Sequence, residues 1–265
     1  MVEVLLAFAL VHVSFRAIKH FTIVGAWEHA AHTNFTPGAV MILFTMLVII
    51  LGRRDPSQYG LTLRDWQAHL GIGLVACAVL VALSLAGVGL GRIKLDFSHP
   101  PDLIRGVGGA VVGIIGTGVI ALLLRKNWIR GIPWVASFAI LTLLLCVPLV
   151  LKSDSYLTIL WLFFGAGFGE EIFYRGYIQS RVNEAFENPW PGILISSLLF
   201  GFLHALNTVD YFRGRWDFAW WYALQSFFIG LFYGVLRART GSVLPGAIAH
   251  GLRDVLAAVP RLLRG

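Results

Sequence analysis

Long apolar runs alternate with short polar stretches along most of this chain of 265 residues. The runs cover residues 2–18, 38–52, 68–90, 106–124, 133–151, 155–180, 191–206, 218–236 and 243–259. A helix needs about 20 apolar residues to cross the hydrocarbon core of a bilayer, and several runs approach that length. The pattern therefore predicts an all-α, polytopic transmembrane helical bundle with about eight or nine membrane helices, as a single integral membrane domain over residues 1–265.

The composition favours an integral membrane protein over a soluble one. Hydrophobic residues make up 57% of the chain and charged residues only 13%, whereas a soluble domain has about 25% charged residues. The formal net charge of +7 suits loops that face anionic headgroups. The basic residues are scattered at the ends of apolar runs instead of being clustered, which argues against a nucleic-acid partner. We expect the lipid bilayer of the cell membrane as the location.

The cysteines and a short histidine motif do not predict a disulfide or a metal site. The two cysteines, Cys77 and Cys146, each lie inside an apolar run. They provide neither a disulfide framework nor a cysteine metal site. A short histidine motif, Glu28-His29-Ala-Ala-His32, invites a metal interpretation, but such motifs often match by chance, and we interpret it as an interfacial loop.

Candidate chemistry is confined to residues 151–260, and residues 1–150 carry no catalytic motif. Glu170 and Glu171 directly follow an uncharged run, 157–168. A charged side chain deep in a bilayer costs at least a few kcal/mol, so such residues are functional candidates. Arg175 lies four residues after Glu171, on the same face of a helix, and can pair with it. Glu170 points about 100° away round an α-helix and is left out of that pair.

Two further apolar runs carry polar side chains. His204 lies near the end of the run 191–206, and His250 and Asp254 lie in the last run, four residues apart and hence on one helix face. The set that requires an explanation is Glu170, Glu171, Arg175, His204, His250 and Asp254.

These residue types predict attack of activated water on a carbonyl, which is peptide hydrolysis. Glu170 is a competent general base, and His204 can hold the same water. His250 and residue 254 then stabilise the oxyanion; alternatively, Glu170, His204 and His250 bind zinc and leave one position for water. The sequence leaves this choice open, and the zincin pattern HExxH is absent.

Two functions without proteolysis compete with this interpretation. One is a non-catalytic membrane scaffold or chaperone, which has no need of an unpaired Glu170. The other is a proton-coupled transporter with Glu170 and His204 as the relay. Transporters often show interrupted helices in both halves of the chain, whereas the polar intramembrane residues here lie only in the second half.

In order along the chain, Glu170-Glu171-x-x-x-Arg175, Phe200-x-x-x-His204 and His250-x-x-x-Asp254 resemble the three signature motifs of a known family. This is the CPBP family of intramembrane proteases (CAAX protease and bacteriocin-processing, also called Abi), which includes the type II CAAX prenyl endopeptidases. The resemblance covers roughly residues 155–255. It implies an intramembrane endopeptidase that acts on a peptide or protein substrate, of which prenylated CAAX proteins are the family's best-known example.

The resemblance also implies roles for individual residues. Glu170 is expected to activate water with His204 as its partner, Arg175 to support Glu171, and His250 to help build the oxyanion site. The family has been described both as metalloproteases and as metal-independent glutamate proteases. Its last motif position is often Asn, whereas this chain has Asp254. An ionised Asp cannot donate to an oxyanion, so Asp254 is protonated, orients His250 or binds a metal.

Overall fold

The computed structural model describes residues 1–31, 33–85, 103–125, 153–211, 214 and 216–262, and all regular structure in these residues is helical. Six helices have the bounds α1 (Val2–Phe21), α2 (Ile23–Ala30), α3 (Phe35–Leu51), α4 (Trp66–Leu85), α5 (Leu103–Arg125) and α7 (Pro189–Tyr211). Between α5 and α7, helix α6 is continuous through the segments Ser153–Leu160, Trp161–Ile178 and Gln179–Phe186, and α8 (Trp216–Thr240) and α9 (Leu244–Leu262) follow α7. A short 3₁₀ turn, Pro56–Tyr59, precedes α4. The all-α prediction is confirmed.

Five helices in the described part of the chain are long and apolar enough to cross a membrane. Their apolar stretches are Trp66–Ser84, Val107–Arg125, Tyr156–Phe186, Pro189–Val209 and Trp216–Thr240. Helix α3 is apolar but shorter. The predicted helical membrane bundle is therefore confirmed, while the predicted run 133–151 lies outside the described residues.

Helix α2 corrects one prediction, because residues 23–30 are helical where the sequence was interpreted as an interfacial loop. Glu28 is buried, and its Oε1 atom accepts a hydrogen bond of 2.6 Å from the backbone N–H of Thr36. Thr36 lies in the first turn of α3, where backbone N–H groups lack acceptors within the helix. Glu28 thus caps α3. The second histidine of the motif, His32, lies outside the described residues.

Helix α6 departs from α-helical geometry where it carries the glutamates. From Trp161 to Ile178 its hydrogen bonds run from residue i to residue i+5, and the Gln179 N–H donates to the Tyr174 carbonyl in the same way. Such π-type turns are rare in proteins, and those that occur are often found at functional sites. Each turn holds more residues than an α-turn, so neighbouring side chains point in more similar directions. The angle of about 100° between Glu170 and Glu171, expected for an α-helix, is therefore too large.

Glycines let the helices that carry the site approach closely. A methyl group at Gly167 would lie 2.6 Å from the Cα atom of Gly251, where α6 crosses α9, and one at Gly169 would lie 2.5 Å from the Cα atom of Gly38 on α3. On α5, a methyl group at Gly113 would lie 2.6 Å from the backbone of Phe228 on α8. Small residues at helix crossings allow this approach in membranes. Gly113 belongs to the spacing Gly109-x-x-x-Gly113, in which both glycines face α8.

Candidate active site

A buried ion pair forms the centre of the site. Glu171 Oε1 lies 3.2 Å from Arg175 Nη1, and both side chains are almost completely buried. Arg175 Nη2 donates to the carbonyl of Gly230 on α8 at 3.2 Å. The pair predicted from the four-residue spacing is present, and it fixes the Arg175 side chain between α6 and α8.

His250 brings α9 into contact with both glutamates of α6. Its Nδ1 atom donates to Glu171 Oε1 at 3.1 Å. On the other side of the ring, Nε2 lies 3.5 Å from Asp254 Oδ2 and 3.8 Å from Glu170 Oε2. Both ring nitrogens therefore face carboxylates, and the imidazole is held between α6 and its own helix.

Glu170 differs from Glu171 in how it is held. Its side chain is 16% exposed, and its Oε2 atom is buried without a hydrogen-bond partner among the described residues. The distance of 3.8 Å to His250 is too long for a hydrogen bond. Glu170 Oε2 is therefore a buried acceptor next to His250 that receives no hydrogen bond from the described residues.

One aromatic ring touches a residue of every motif. The centroid of Phe200 lies 4.5 Å from Arg175 Cζ, 4.4 Å from the His204 ring and 5.9 Å from the His250 ring. The ring of Tyr233 stacks on the ring of His250, with centroids 4.9 Å apart and planes only 16° from parallel. These contacts restrict the orientation of both histidines and of the guanidinium.

His204 is oriented by its own helix. Its Nδ1 atom lies 2.9 Å from the carbonyl oxygen of Phe200, one turn earlier on α7. A carbonyl oxygen only accepts, so this contact is a hydrogen bond when Nδ1 carries the hydrogen, and Nε2 of the neutral ring is then an acceptor. The ring also packs edge-on against Tyr222, at 5.4 Å between centroids.

The predicted zinc set does not fit this arrangement of side chains. Within the described ranges, no three His, Cys, Asp or Glu side chains are grouped so that they could hold a metal ion. His250, one of the three predicted ligands, has Nδ1 bonded to Glu171 and Nε2 facing both Asp254 and Glu170. Zinc dependence stays a prediction that a chelator can test.

Several residues of the site were missed in the sequence. Arg253 Nη1 donates to Asp254 Oδ1 at 3.3 Å, and Tyr233 stacks on His250. A methyl group at Gly246 would lie 2.8 Å from Glu171 Oε2. Gly246 precedes His250 by four residues, so its place on the same helix face could have been inferred. Tyr233 lies on a different helix from His250, and no spacing rule connects them.

The second half of the chain matches a protein-family model. Residues 152–256, which span α6 to α8 and most of α9, match the family model described as type II CAAX prenyl endopeptidase Rce1-like. No curated protein and no solved structure matched the chain. The matched residues include the three motifs and the contacts around His250 described above. The match over residues 152–256 is consistent with the resemblance of this part of the chain to the CAAX protease family.

Proposed function

We propose that this chain hydrolyses a peptide bond of a membrane-associated substrate with water that is activated by Glu170 and His204. The observation that carries the proposal is the contrast between two adjacent glutamates. Glu171 is held by Arg175 and His250, whereas Glu170 Oε2 is buried without a hydrogen-bond partner in the described part of the chain. A buried acceptor without a partner costs free energy. That cost is explained if Glu170 binds and deprotonates water.

In the proposed reaction, Glu170 takes one proton from water and later gives it to the leaving nitrogen. Glu170 takes a proton from water, while His204 Nε2 accepts the second hydrogen of the same water and holds it in place. The water oxygen bonds to the carbonyl carbon of the scissile peptide, and the carbonyl π electrons move onto its oxygen. When the tetrahedral intermediate collapses, the C–N bond breaks, and Glu170 returns its proton to the leaving nitrogen. This proton cycle is ordinary general base and general acid catalysis.

The other motif residues position the histidines in this proposal. Glu171 accepts from His250 Nδ1, and Arg175 fixes Glu171. With a hydrogen on each ring nitrogen, facing Glu171 and Asp254, His250 is a cation, and its positive charge helps to stabilise the oxyanion from the side of α9. Asp254 lies within 3.5 Å of His250 Nε2 and accepts from Arg253, which suits a carboxylate that orients His250. An ionised carboxylate has no hydrogen to donate to an oxyanion.

The proposed substrate is a peptide or protein presented at the membrane, and a prenylated CAAX peptide is the first candidate. The family match supports a CAAX-type substrate. The five apolar helices support delivery of the substrate from within or along the bilayer.

The test compares the wild type with Glu170→Gln, both purified in detergent, on a quenched farnesylated CAAX peptide. Glutamine keeps the shape but cannot take the proton, so we expect the cleavage rate to fall by about 100-fold or more. Glu187→Gln is the matched control, because Glu187 is an exposed carboxylate just after the end of α6. Equal rates in wild type and Glu170→Gln would remove Glu170 from the reaction.

A second arm separates the glutamate mechanism from the zinc alternative. Wild-type cleavage is measured with 1,10-phenanthroline and with a non-chelating phenanthroline isomer. Unchanged rates would support catalysis by Glu170 and His204 without metal. Loss with the chelator alone, reversed by added zinc, would assign Glu170, His204 and His250 to a metal that rearranges the side chains described here.

A further inference from the structure

A cavity of about 570 Å³ lies at one end of the bundle, and none of its described lining residues belongs to the candidate active site. Its walls come from the start of α4 and the last residues of α5 and α8. The ionisable lining residues are Asp65, His69, Arg125 and Arg239. The volume falls in the range of sites that bind small molecules.

The cavity lies where three apolar stretches reach the membrane surface. Trp66–Ser84 begins beside it, and Val107–Arg125 and Trp216–Thr240 end beside it. Because each stretch is about as long as the hydrocarbon core is thick, these ends lie at the level of the lipid headgroups. Trp66, at the same end of α4, is 41% exposed, as is typical of aromatic residues at the interface.

The described lining residues carry more positive than negative charge. The described residues provide neither Arg125 nor Arg239 with a hydrogen bond or an ion pair. Asp65, the one carboxylate among the described lining residues, has the exposed Arg64 as a neighbour, with 4.0 Å between Nε and Oδ2. His69 adds a buried imidazole. Guanidinium groups bind phosphate oxygens in pairs and are weakly hydrated, so two of them at one cavity favour a phosphate ligand.

We propose that this cavity binds an anionic phosphate group, supplied by a lipid headgroup or by a soluble phosphate compound, with Arg125 and Arg239 as its ligands. Basic pockets between transmembrane helices bind anionic headgroups through the same chemistry. The site is independent of peptide hydrolysis, and its test uses no activity measurement.

The test measures the thermal unfolding midpoint of the full chain in a non-ionic detergent. The probes are dioleoylphosphatidylglycerol, dioleoylphosphatidylcholine and inorganic phosphate, the last against sodium chloride of equal ionic strength. A ligand that binds only the folded state raises the midpoint in a concentration-dependent way. Arg125→Gln/Arg239→Gln should weaken binding of the anionic probe roughly 10- to 30-fold. Lys19→Gln/Arg53→Gln is the control, because it removes two exposed positive charges outside the cavity.

Each outcome decides the proposal or the source of the phosphate. The proposal of a lipid headgroup is supported if phosphatidylglycerol raises the unfolding midpoint and phosphatidylcholine does not. This rise must also disappear in the cavity variant and persist in the control variant. A midpoint raised by inorganic phosphate supports a soluble compound. Equal shifts in the cavity variant and the control variant, or no shift in the wild type, would overturn the proposal. If the glutamine variant does not fold, Arg125→Lys/Arg239→Lys keeps the charge and should retain weakened binding.

Discussion

His250 is the residue at which the three motifs meet. Its Nδ1 atom is bonded to Glu171, its Nε2 atom faces Asp254 and Glu170, and its ring packs between Tyr233 and Phe200. A ring fixed on both edges and on a face has little freedom to turn. The residues that hold it are therefore expected to affect turnover more than substrate binding.

Asp254 gives the clearest test of this view. Asp254→Asn keeps an oxygen that can accept from His250, so we expect kcat to stay within about tenfold of wild type. Asp254→Leu keeps a similar volume and removes the acceptor, so we expect kcat to fall by roughly 10- to 100-fold, as for other residues that orient a histidine. Steady-state cleavage of the CAAX peptide gives kcat and KM separately. An orienting role would be contradicted if only KM changed, or if the Leu and Asn variants had equal kcat values.

Contacts within one helix were predictable, and contacts between helices were not. Four-residue spacing predicts the pairs Glu171–Arg175 and His250–Asp254, and both are present. Glu171 and His250 are 79 residues apart, and their hydrogen bond depends on how α9 packs against α6. No local pattern in the chain encodes that crossing.

At the level of elements, apolar runs predicted where helices lie but not their internal geometry. The run 191–206 corresponds to Pro189–Tyr211, and 218–236 to Trp216–Thr240. Helix α2 was missed because its eight residues are too few for an apolar run. The π-type bonding of Trp161–Ile178 was missed too, because hydrophobic spacing gives no signal for it over so short a stretch.

The crossing of α6 and α9 can be tested by adding one methyl group. In Gly167→Ala the new Cβ would lie 2.6 Å from Gly251 Cα, which forces the helices apart. We expect a lower unfolding midpoint, from a loss of roughly 1–3 kcal/mol, and slower peptide cleavage because His250 moves away from Glu171. Gly118→Ala is the control, since nothing lies within 4 Å of its Cβ position. Its midpoint should stay the same or rise, because alanine favours helix. Equal midpoints for the two variants would refute the close crossing.

At the level of the molecule, helices outside the family match pack against α6 and α9, which carry candidate site residues. The Tyr174 hydroxyl lies 3.3 Å from His12 Nε2 on α1, and Arg181 Nη2 lies 2.8 Å from Glu3 Oε2. Helix α3 meets α6 at Gly38, and α4 meets α9 where a methyl group at Gly73 would lie 2.8 Å from the Ile248 side chain. The helices that carry the motifs are thus enclosed by residues from the first half of the chain.

This enclosure predicts that residues 151–265 do not work alone. Expressed without residues 1–150, they should give little folded protein and no cleavage, because the faces that α1, α3 and α4 cover would be exposed. Co-expression of the two pieces should restore cleavage, since membrane helices can associate after insertion. Detergent-stable co-purification and peptide cleavage are the readouts. Full activity of residues 151–265 by themselves would show that the first half has another purpose.

The π-type stretch of α6 also affects which changes of length the chain can accept. A helix bonded from i to i+5 holds residues that an α-helix of the same height would not need. Removing one residue between Trp161 and Ile178 therefore lets about one turn tighten to α-helical bonding without shortening the path across the bundle. Helix α6 would keep its height after such a deletion, but Glu170 and Glu171 would point in a different direction relative to α9. The direction in which Glu170 and Glu171 point therefore depends more strictly on the number of residues in this segment than the height of α6 does.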